Sequence, residues 1–515
     1  MRRRRISTLI GNRGADNDEQ TQILDCSAND LPSPIVVDIL LRLPVKAILV
    51  CKCVSKTWRS LISDPHFAKM HFSRQQPCPL IRTLDSTLVS RMLYLIEPET
   101  CNNFDLGDCS CYGLSDECGH HVNMKLDTKL KIPLRNAGLV LNGEEGDAQM
   151  GCFSKGSGVK RKRCIKVKPK EQKFKIVNSC NGFLCLSEPF RNDPVVVCNP
   201  VTGEYINLPV VNRAGAEAGE KTKEFGDCGF GFSPKANQYK VIRMFQQWIA
   251  DPITGSERYG SSAEINTLGT GSWRSIGDAP FSCYRLTFPT YLKGCLHWFC
   301  LNSKTSNYIA SFNFDDEQFQ WVPPPPRHHD VFDDSCTVSL NTVSNVSMGV
   351  LKGCLCMSDA SSYCPIVIWV MKKYGVKKSW RKMFSIDTGN CERWPIDLYQ
   401  PINYLKNGTL LMFQYFTSSL ICYDPKRSQE LKYLKLRGVK SKFEAIAHIP
   451  SFISLKEAIV GDNVVVLNIN SRCAKFKVLG ETKALSLAEE DRDMASDSLS
   501  SYSDTDDWKH LWQRW

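Results

Sequence analysis

The side chains of this chain best suited to chemistry are a cluster of thiols and imidazoles: Cys101, Cys109, Cys111, Cys118, His120 and His121. Four of them could hold a zinc ion, which takes sulfur and nitrogen donors in a tetrahedron. Zinc sites draw on ligand pairs at C-x2–4-C spacing, because neighbouring residues of one tight turn then converge on one point. Here the intervals are irregular and no second C-x-x-C knuckle follows, so the segment reads as a loop carrying reduced cysteines. Gly229-Phe230-Gly231 is no phosphate loop, because neither a Walker lysine nor a following helix accompanies it. His297-Trp298 falls in a predicted strand and reads as core packing. His328-His329 follows Pro323 to Pro326, a rigid extended segment, and reads as a loop. No Ser-His-Asp or Cys-His set can be assembled from sequence order, there is no HExxH, and no Tyr–Cys–His set suited to copper-radical chemistry is located. The expectation is therefore no catalytic residue, no metal and no cofactor. What remains to explain is recognition.

Composition bounds the class. The 515 residues are 42% hydrophobic and 23% charged, values of a soluble globular chain. No apolar run approaches the ~18 residues that span a bilayer, and no membrane association is expected. Arg2 to Arg5 precede a stretch too short and polar for a signal sequence, so secretion is not expected. In such a chain the 24 cysteines read as reduced, small hydrophobes. The net charge of +11 sits largely in Arg2–Arg5 and in the run from Lys160 to Lys175. That run reads as a solvated basic loop, with a nuclear-import or polyanion patch as the alternative. The far C-terminus, Glu489 to Asp507, is acidic.

The elements that could position a recognition surface begin at Leu31. Pro34 opens a predicted helix capped by Ser33, with Ile35, Val36, Ile39, Leu40 and Leu43 on one broad face. Pro44 breaks it. A second helix carries Val45, Ile48, Leu49 and Val50. Ser55 caps a third, in which Trp58, Leu61 and Ile62 face inward, and Asp64-Pro65 ends it. About 40 residues cannot bury so much apolar surface alone, so a neighbouring domain or a partner must cover the surplus.

This module resembles an F-box, the motif by which a substrate receptor docks on the Skp adaptor of an SCF-type (Skp–cullin–F-box) ubiquitin ligase. The marks are Leu31-Pro32, Ile39-Leu40, Arg42-Leu43-Pro44 and Cys53-Val54-Ser55-Lys56 with Trp58. Pro34 departs from the acidic residue usual in plant-type F-boxes, and Val50-Cys51 from a common basic-aromatic pair. The resemblance implies an adaptor-docking face made of Leu31, Pro32, Ile35, Ile39, Leu40, Leu43 and Pro44. Val54 and Trp58 are expected to hold the module together, with Trp58 reaching the interface.

Beyond Lys170 a turn-plus-strand unit recurs at about 55 residues, close to the ~50 of kelch-type blades. Asn181-Gly182, Gly294, Gly353 and Asn407-Gly408 each precede an apolar strand, a second strand and a further turn. Hairpins at a blade-sized period predict a β-propeller. This half resembles the F-box-associated domain of plant F-box proteins. The residues that carry the likeness are Ser179-Cys180-Asn181-Gly182-Phe183, Asn199-Pro200-Val201-Thr202-Gly203, Gly229-Phe230-Gly231-Phe232, Ser272-Trp273-Arg274, His297-Trp298, Tyr374-Gly375-Val376 with Ser379-Trp380, and Tyr423-Asp424-Pro425.

The expected fold is thus mainly β with a small α module: a disordered N-terminus (1–28), a three-helix F-box (29–73) and a β-propeller-like domain (79–455). Residues 101–170 read as a disordered insertion, 456–488 as a source of closing strands around Val464-Val465-Val466-Leu467, and 489–515 as an acidic tail. The resemblance implies a substrate-recognition subunit of an SCF-type ligase. It would bind a Skp-family adaptor, through it a cullin scaffold, and a target protein, in the cytoplasm or nucleus. A kelch-type propeller enzyme, or a scaffold or nucleic-acid binder using the 160–175 run, are the alternatives. Neither accounts for the ordered F-box marks.

Overall fold

The computed structural model describes residues 31–469 apart from several internal segments, the longest being 98–120 and 134–173. The chain forms two compact units, one ending at Leu43 and the other starting at Pro44. In the first, helix α1 spans Ser33–Leu40. Ser33 is not its cap. Pro32, extended at φ −55° and ψ 136°, occupies the cap position, makes no side-chain capping bond, and leaves Ser33 as the first helical residue.

The second unit opens with three helices: α2 (Val45–Val54), α3 (Lys56–Ile62) and α4 (Pro65–Arg74). Ser55 caps α3 as expected, its hydroxyl accepting the Trp58 N–H at 3.1 Å. Asp64-Pro65 does more than end that helix. The Asp64 carboxylate accepts the His66 N–H at 2.6 Å and starts α4, a further helix absent from the sequence expectation. Phe67 and His71 of α4 are buried against Phe452, with the His71 and Phe452 rings 4.9 Å apart edge to face. The Val45 N–H, an orphan donor of the first turn of α2, is satisfied by the Glu97 carboxylate at 2.7 Å.

The rest is a β-propeller of six blades among the described residues, each built on four antiparallel strands, with a fifth strand added at the outer edge of blades 2 and 6. The innermost strands of blades 2 to 6 are Lys175–Cys180, Glu224–Ser233, Thr290–Leu292, Val346–Leu351 and Tyr399–Tyr404. In blades 2, 4 and 5 a two-residue turn leads out of them: Asn181-Gly182, Lys293-Gly294 and Lys352-Gly353. All six turn residues have positive φ, the mirror-image geometry whose twist matches a β-hairpin. Gly182 has a second reason to be glycine, since a Cβ there would lie 2.2 Å from the Ser451 Cβ.

Blade 1 is discontinuous. Its inner strand is Phe443–His448, from the end of the propeller, paired in six register positions with Cys78–Thr83 from its beginning. Met92–Leu95 and Thr128–Lys131 complete it. The closing strand therefore lies before the segment around Val464. That segment instead contributes Leu467–Asn468 to the outer edge of blade 2. The 101–170 stretch also differs from its reading as a disordered insertion. It supplies Thr128–Lys131 to blade 1, and His121–Lys125 pairs in parallel with Leu431–Arg437 at the outer edge of blade 6. Thr128–Lys131 alternates lysine with Thr and Leu, and His121–Lys125 is mostly polar, so neither shows an apolar pattern that would mark it as a strand.

The motifs shared by successive blades are mostly devices of packing. Trp273 and Trp380 donate their indole N–H to the carbonyls of Pro209 and Pro323, each at 2.8 Å. Each bond straps one blade to the chain leaving the blade before it. Gly229 and Gly231 let blade 3 approach blade 4: an added Cβ would lie 2.1 Å from a Leu296 methyl and 2.0 Å from the Phe314 ring. The Asn199 amide donates to the carbonyls of Ser451 and Ile453, fastening the C-terminal segment to blade 2. The described cysteines are all free and mostly buried in strands. Burial pushes the Cys180, Cys185, Cys198 and Cys356 thiols well up, which keeps them inert.

Candidate functional site

Helix α1 separates its apolar residues into two sets. Val36 and Leu40 are buried. Ile35 and Ile39, four residues apart on one side of the helix, are 49% and 46% exposed, and Leu31, just ahead of the helix, is 44% exposed. Pro32 is exposed beside them, and Leu43 and Pro44 are half-buried. Of the expected docking residues, Leu40 is thus withdrawn from any partner. Arg42, just past the end of the helix, and Asp38 within it make an exposed ion pair at 2.6 Å, a contact of little energetic weight.

Helix α2 repeats the division. Val45 and Ile48 are buried, whereas Val50 and Val54, again four apart, are 60% and 66% exposed. Val54 does not hold the module together, as the sequence reading had it. Trp58 does lie half-buried at the start of α3. Among the described residues ten large hydrophobics are exposed, and five of them fall between Leu31 and Val54. Each of the two units thus carries its own unburied apolar residues in this stretch.

The zinc candidates Cys101 to His120 lie outside the described residues, and of His121 only the backbone strand is described. His328-His329 and the basic run from Lys160 up to Lys170 lie outside as well. Among the described residues no group of three His, Cys, Asp or Glu side chains is placed to hold a metal.

The fold does bring together one chemical set that the sequence did not reveal. His297 on blade 4 is fully buried, with Nδ1 3.0 Å from the Thr290 carbonyl and Nε2 2.7 Å from the Tyr374 hydroxyl of blade 5. A carbonyl only accepts, so Nδ1 carries the proton and Nε2 accepts from the phenol. Cys295 lies near enough to the same hydroxyl to raise the phenol further. A Tyr–Cys–His constellation therefore exists, assembled across two blades. Its protonation is wrong for acid–base or nucleophilic work. Burial lowers the His297 imidazole to about 4 and raises both the Cys295 thiol and the Tyr374 phenol, so each group is held neutral. The set joins blades 4 and 5.

The described residues thus form a six-bladed propeller and, ahead of it in sequence, helices that carry unburied apolar residues. Residues 29–70 match the F-box domain, and residues 154–454 match the F-box associated beta propeller domain. The chain belongs to the F-box proteins that carry this associated propeller. Its relatives in Arabidopsis thaliana include F-box protein At3g07870, 27% identical over 81% of this chain and 90% of its own length. F-box protein CPR1 is 22% identical over 82% and 88%, and F-box/kelch-repeat protein At3g23880 is 24% identical over 77% and 88%.

Proposed function

We propose that this chain is the target-recruiting subunit of an SCF-type ubiquitin ligase, docking on a Skp-family adaptor through α1 and α2 and holding a target protein on its propeller. The observation that carries the proposal is the exposed stripe Leu31, Ile35 and Ile39, with Val50 and Val54, inside the segment that matches the F-box. Pro32, Leu43 and Pro44 flank the stripe as secondary contacts, and Trp58 stiffens the start of α3. Leu40, being buried, supports the helix and does not touch the adaptor.

On this reading the chain performs no bond chemistry. The adaptor and cullin bring a charged ubiquitin carrier, and this subunit raises the effective concentration of target lysines beside it. The test is capture of a purified Skp-family adaptor by the full chain and by its Ile35→Asp/Ile39→Asp variant. A carboxylate forced into each contact leaves a desolvated, unpaired charge, so capture should fall by two orders of magnitude or about 3 kcal/mol. The circular dichroism spectrum and melting curve should not change. Undiminished capture by a folded variant removes the docking assignment. If the wild type captures adaptor yet no ubiquitin transfer to any bound protein is reconstituted with the remaining subunits, the recruiting role fails.

A further inference from the structure

Blade 5 carries an unusual loop between its third strand, Ile366–Met371, and its fourth, Trp380–Ile386. Lys372, Lys373, Lys377 and Lys378 are all exposed there, with Arg381 and Lys382 exposed on the strand that follows. The segment 372–382 contains no acidic residue, and among the described residues none of its six cations is paired with a carboxylate. Like charges so crowded repel, and left alone the loop would spread. Instead it is pinned. The Ser379 hydroxyl donates to the Lys373 carbonyl at 2.7 Å and accepts the Lys373 N–H at 3.0 Å. The Gly375 N–H reaches the Met371 sulfur at 3.1 Å. Trp380 is strapped to Pro323, and the Tyr374 hydroxyl is bonded to buried His297. At the tip, between the lysine pairs, Tyr374 and Val376 are 45% and 46% exposed.

The surroundings extend the positive field. In a meandering sheet the turn after the first strand and the turn after the third lie at the same end, so the blade 5 loop shares a face with the inner turns. Lys293 and Lys352 stand in two of those turns at φ 46° and 50°, a conformation that suits Asn or Gly better than lysine. Lys352 lies over the Tyr404 ring at 4.1 Å, and the described acids in the corresponding turns of the adjoining blades are Asp315, Asp316 and Glu317 on blade 4 and Asp424 on blade 6, where it accepts the Lys426 N–H. Glu317 is already engaged by Lys240 and Arg274, and Asp315 by the Ser233 hydroxyl and the Lys235 N–H.

We infer that the blade 5 loop is a docking surface for an acidic polypeptide segment, the recognition element of the target proteins in the proposal above, on which this inference rests. Carboxylates of an extended peptide would meet the paired lysines while an apolar side chain between them covers Val376 and the Tyr374 ring. The features favour a peptide over a single-stranded nucleic acid, which is held by successive aromatic platforms where this loop offers one ring with its hydroxyl tied down. A lipid surface is disfavoured too, since two apolar side chains make a narrow wedge.

The test uses the intact chain and three fluorescent probes: a short Glu-rich peptide with one central Leu, its Gln counterpart, and an oligo-uridine of similar length. The Glu peptide should bind at least about tenfold tighter than the Gln peptide and weaken steeply with salt. It should lose binding in K372E/K373E/K377E/K378E, while the milder K373Q/K378Q loses part of it in case the reversal disturbs the fold. Equal binding of Glu and Gln peptides, or tighter binding of the oligo-uridine, overturns the inference. Adaptor capture is measured on the same samples. Capture without peptide binding removes only this surface, and peptide binding without capture removes only the ligase assignment.

Discussion

The joint of blade 1 can be tested at one ion pair. Arg82 and Glu444 sit opposite one another in the closing register, 2.5 Å apart, with side chains only 9% and 17% exposed. Two of the other guanidinium nitrogens, Nε and Nη1, are buried without a hydrogen-bond partner, so Glu444 carries most of the compensation for that charge. Glu444→Gln keeps the shape and removes the charge, which should cost about 3–5 kcal/mol, the range for stranding one member of a buried pair. Arg82→Met should cost less, because a carboxylate at 17% exposure retains some water. The double variant Arg82→Met/Glu444→Leu should recover much of the loss, since a well-packed apolar pair is often as stable as the ions it replaces. Urea unfolding followed by tryptophan fluorescence gives the four free energies of the cycle. A coupling energy of about 1–3 kcal/mol is expected for residues in direct contact. If Glu444→Gln costs less than about 1 kcal/mol, with no coupling to Arg82, the pair does not hold the ring closed and the reasoning fails.

The propeller needs its early strands. A fragment from Lys173 to Leu455, which the repeat pattern alone would offer as a complete β domain, leaves Phe443–His448 without Cys78–Thr83 and should lack a single cooperative melt. Gly231→Ala should destabilise by about 1–3 kcal/mol, because its methyl would meet the Phe314 ring, and adding Phe314→Leu should return part of the loss on a urea curve. Acidification from pH 6.5 towards 4 should lower the melting temperature. His71 and His297 are held neutral to about 4 and His448 to about 3 by burial, whereas the unfolded chain takes up those protons near 6.5. Asp227, pushed up to about 7 mainly by burial, binds a proton more readily folded than unfolded and opposes the trend, so Asp227→Asn should steepen the decline.

Blades 2 to 6 were legible because each is built from neighbouring residues. Asn181-Gly182 and the glycine turns at 294 and 353 announce hairpins whose partners lie a few positions away. Blade 1 was not, because nothing local to Leu80 says that its partner is Ile446. The docking helices were half legible. A 3.6-residue period divides a helix into faces without saying which is covered, so Leu40, expected on the docking face, is buried and Val54, expected to hold the module together, is exposed. The Cys295, His297 and Tyr374 set depends on blade-to-blade contact, which no spacing encodes. The basic loop after Met371 was visible in sequence as a motif of family resemblance. Its meaning as unpaired charge needed the fold, in which none of its cations makes an ion pair among the described residues.

Closing the ring with Phe443–His448 also orders events during synthesis. About 360 residues separate Thr83 from Phe443, and at roughly 5–20 residues per second they take roughly 20 to 70 s to make. Over that interval the inner edge of Cys78–Thr83 has been translated and its partner has not. Its backbone N–H and C=O groups remain open to whatever strand or chaperone reaches them first. The helices of residues 33–74 are held by their own backbone hydrogen bonds, with Val45 N–H also reaching Glu97. They can form while the propeller is still an open arc, so a nascent chain presents its helical stripe to the cell well before its binding face is complete.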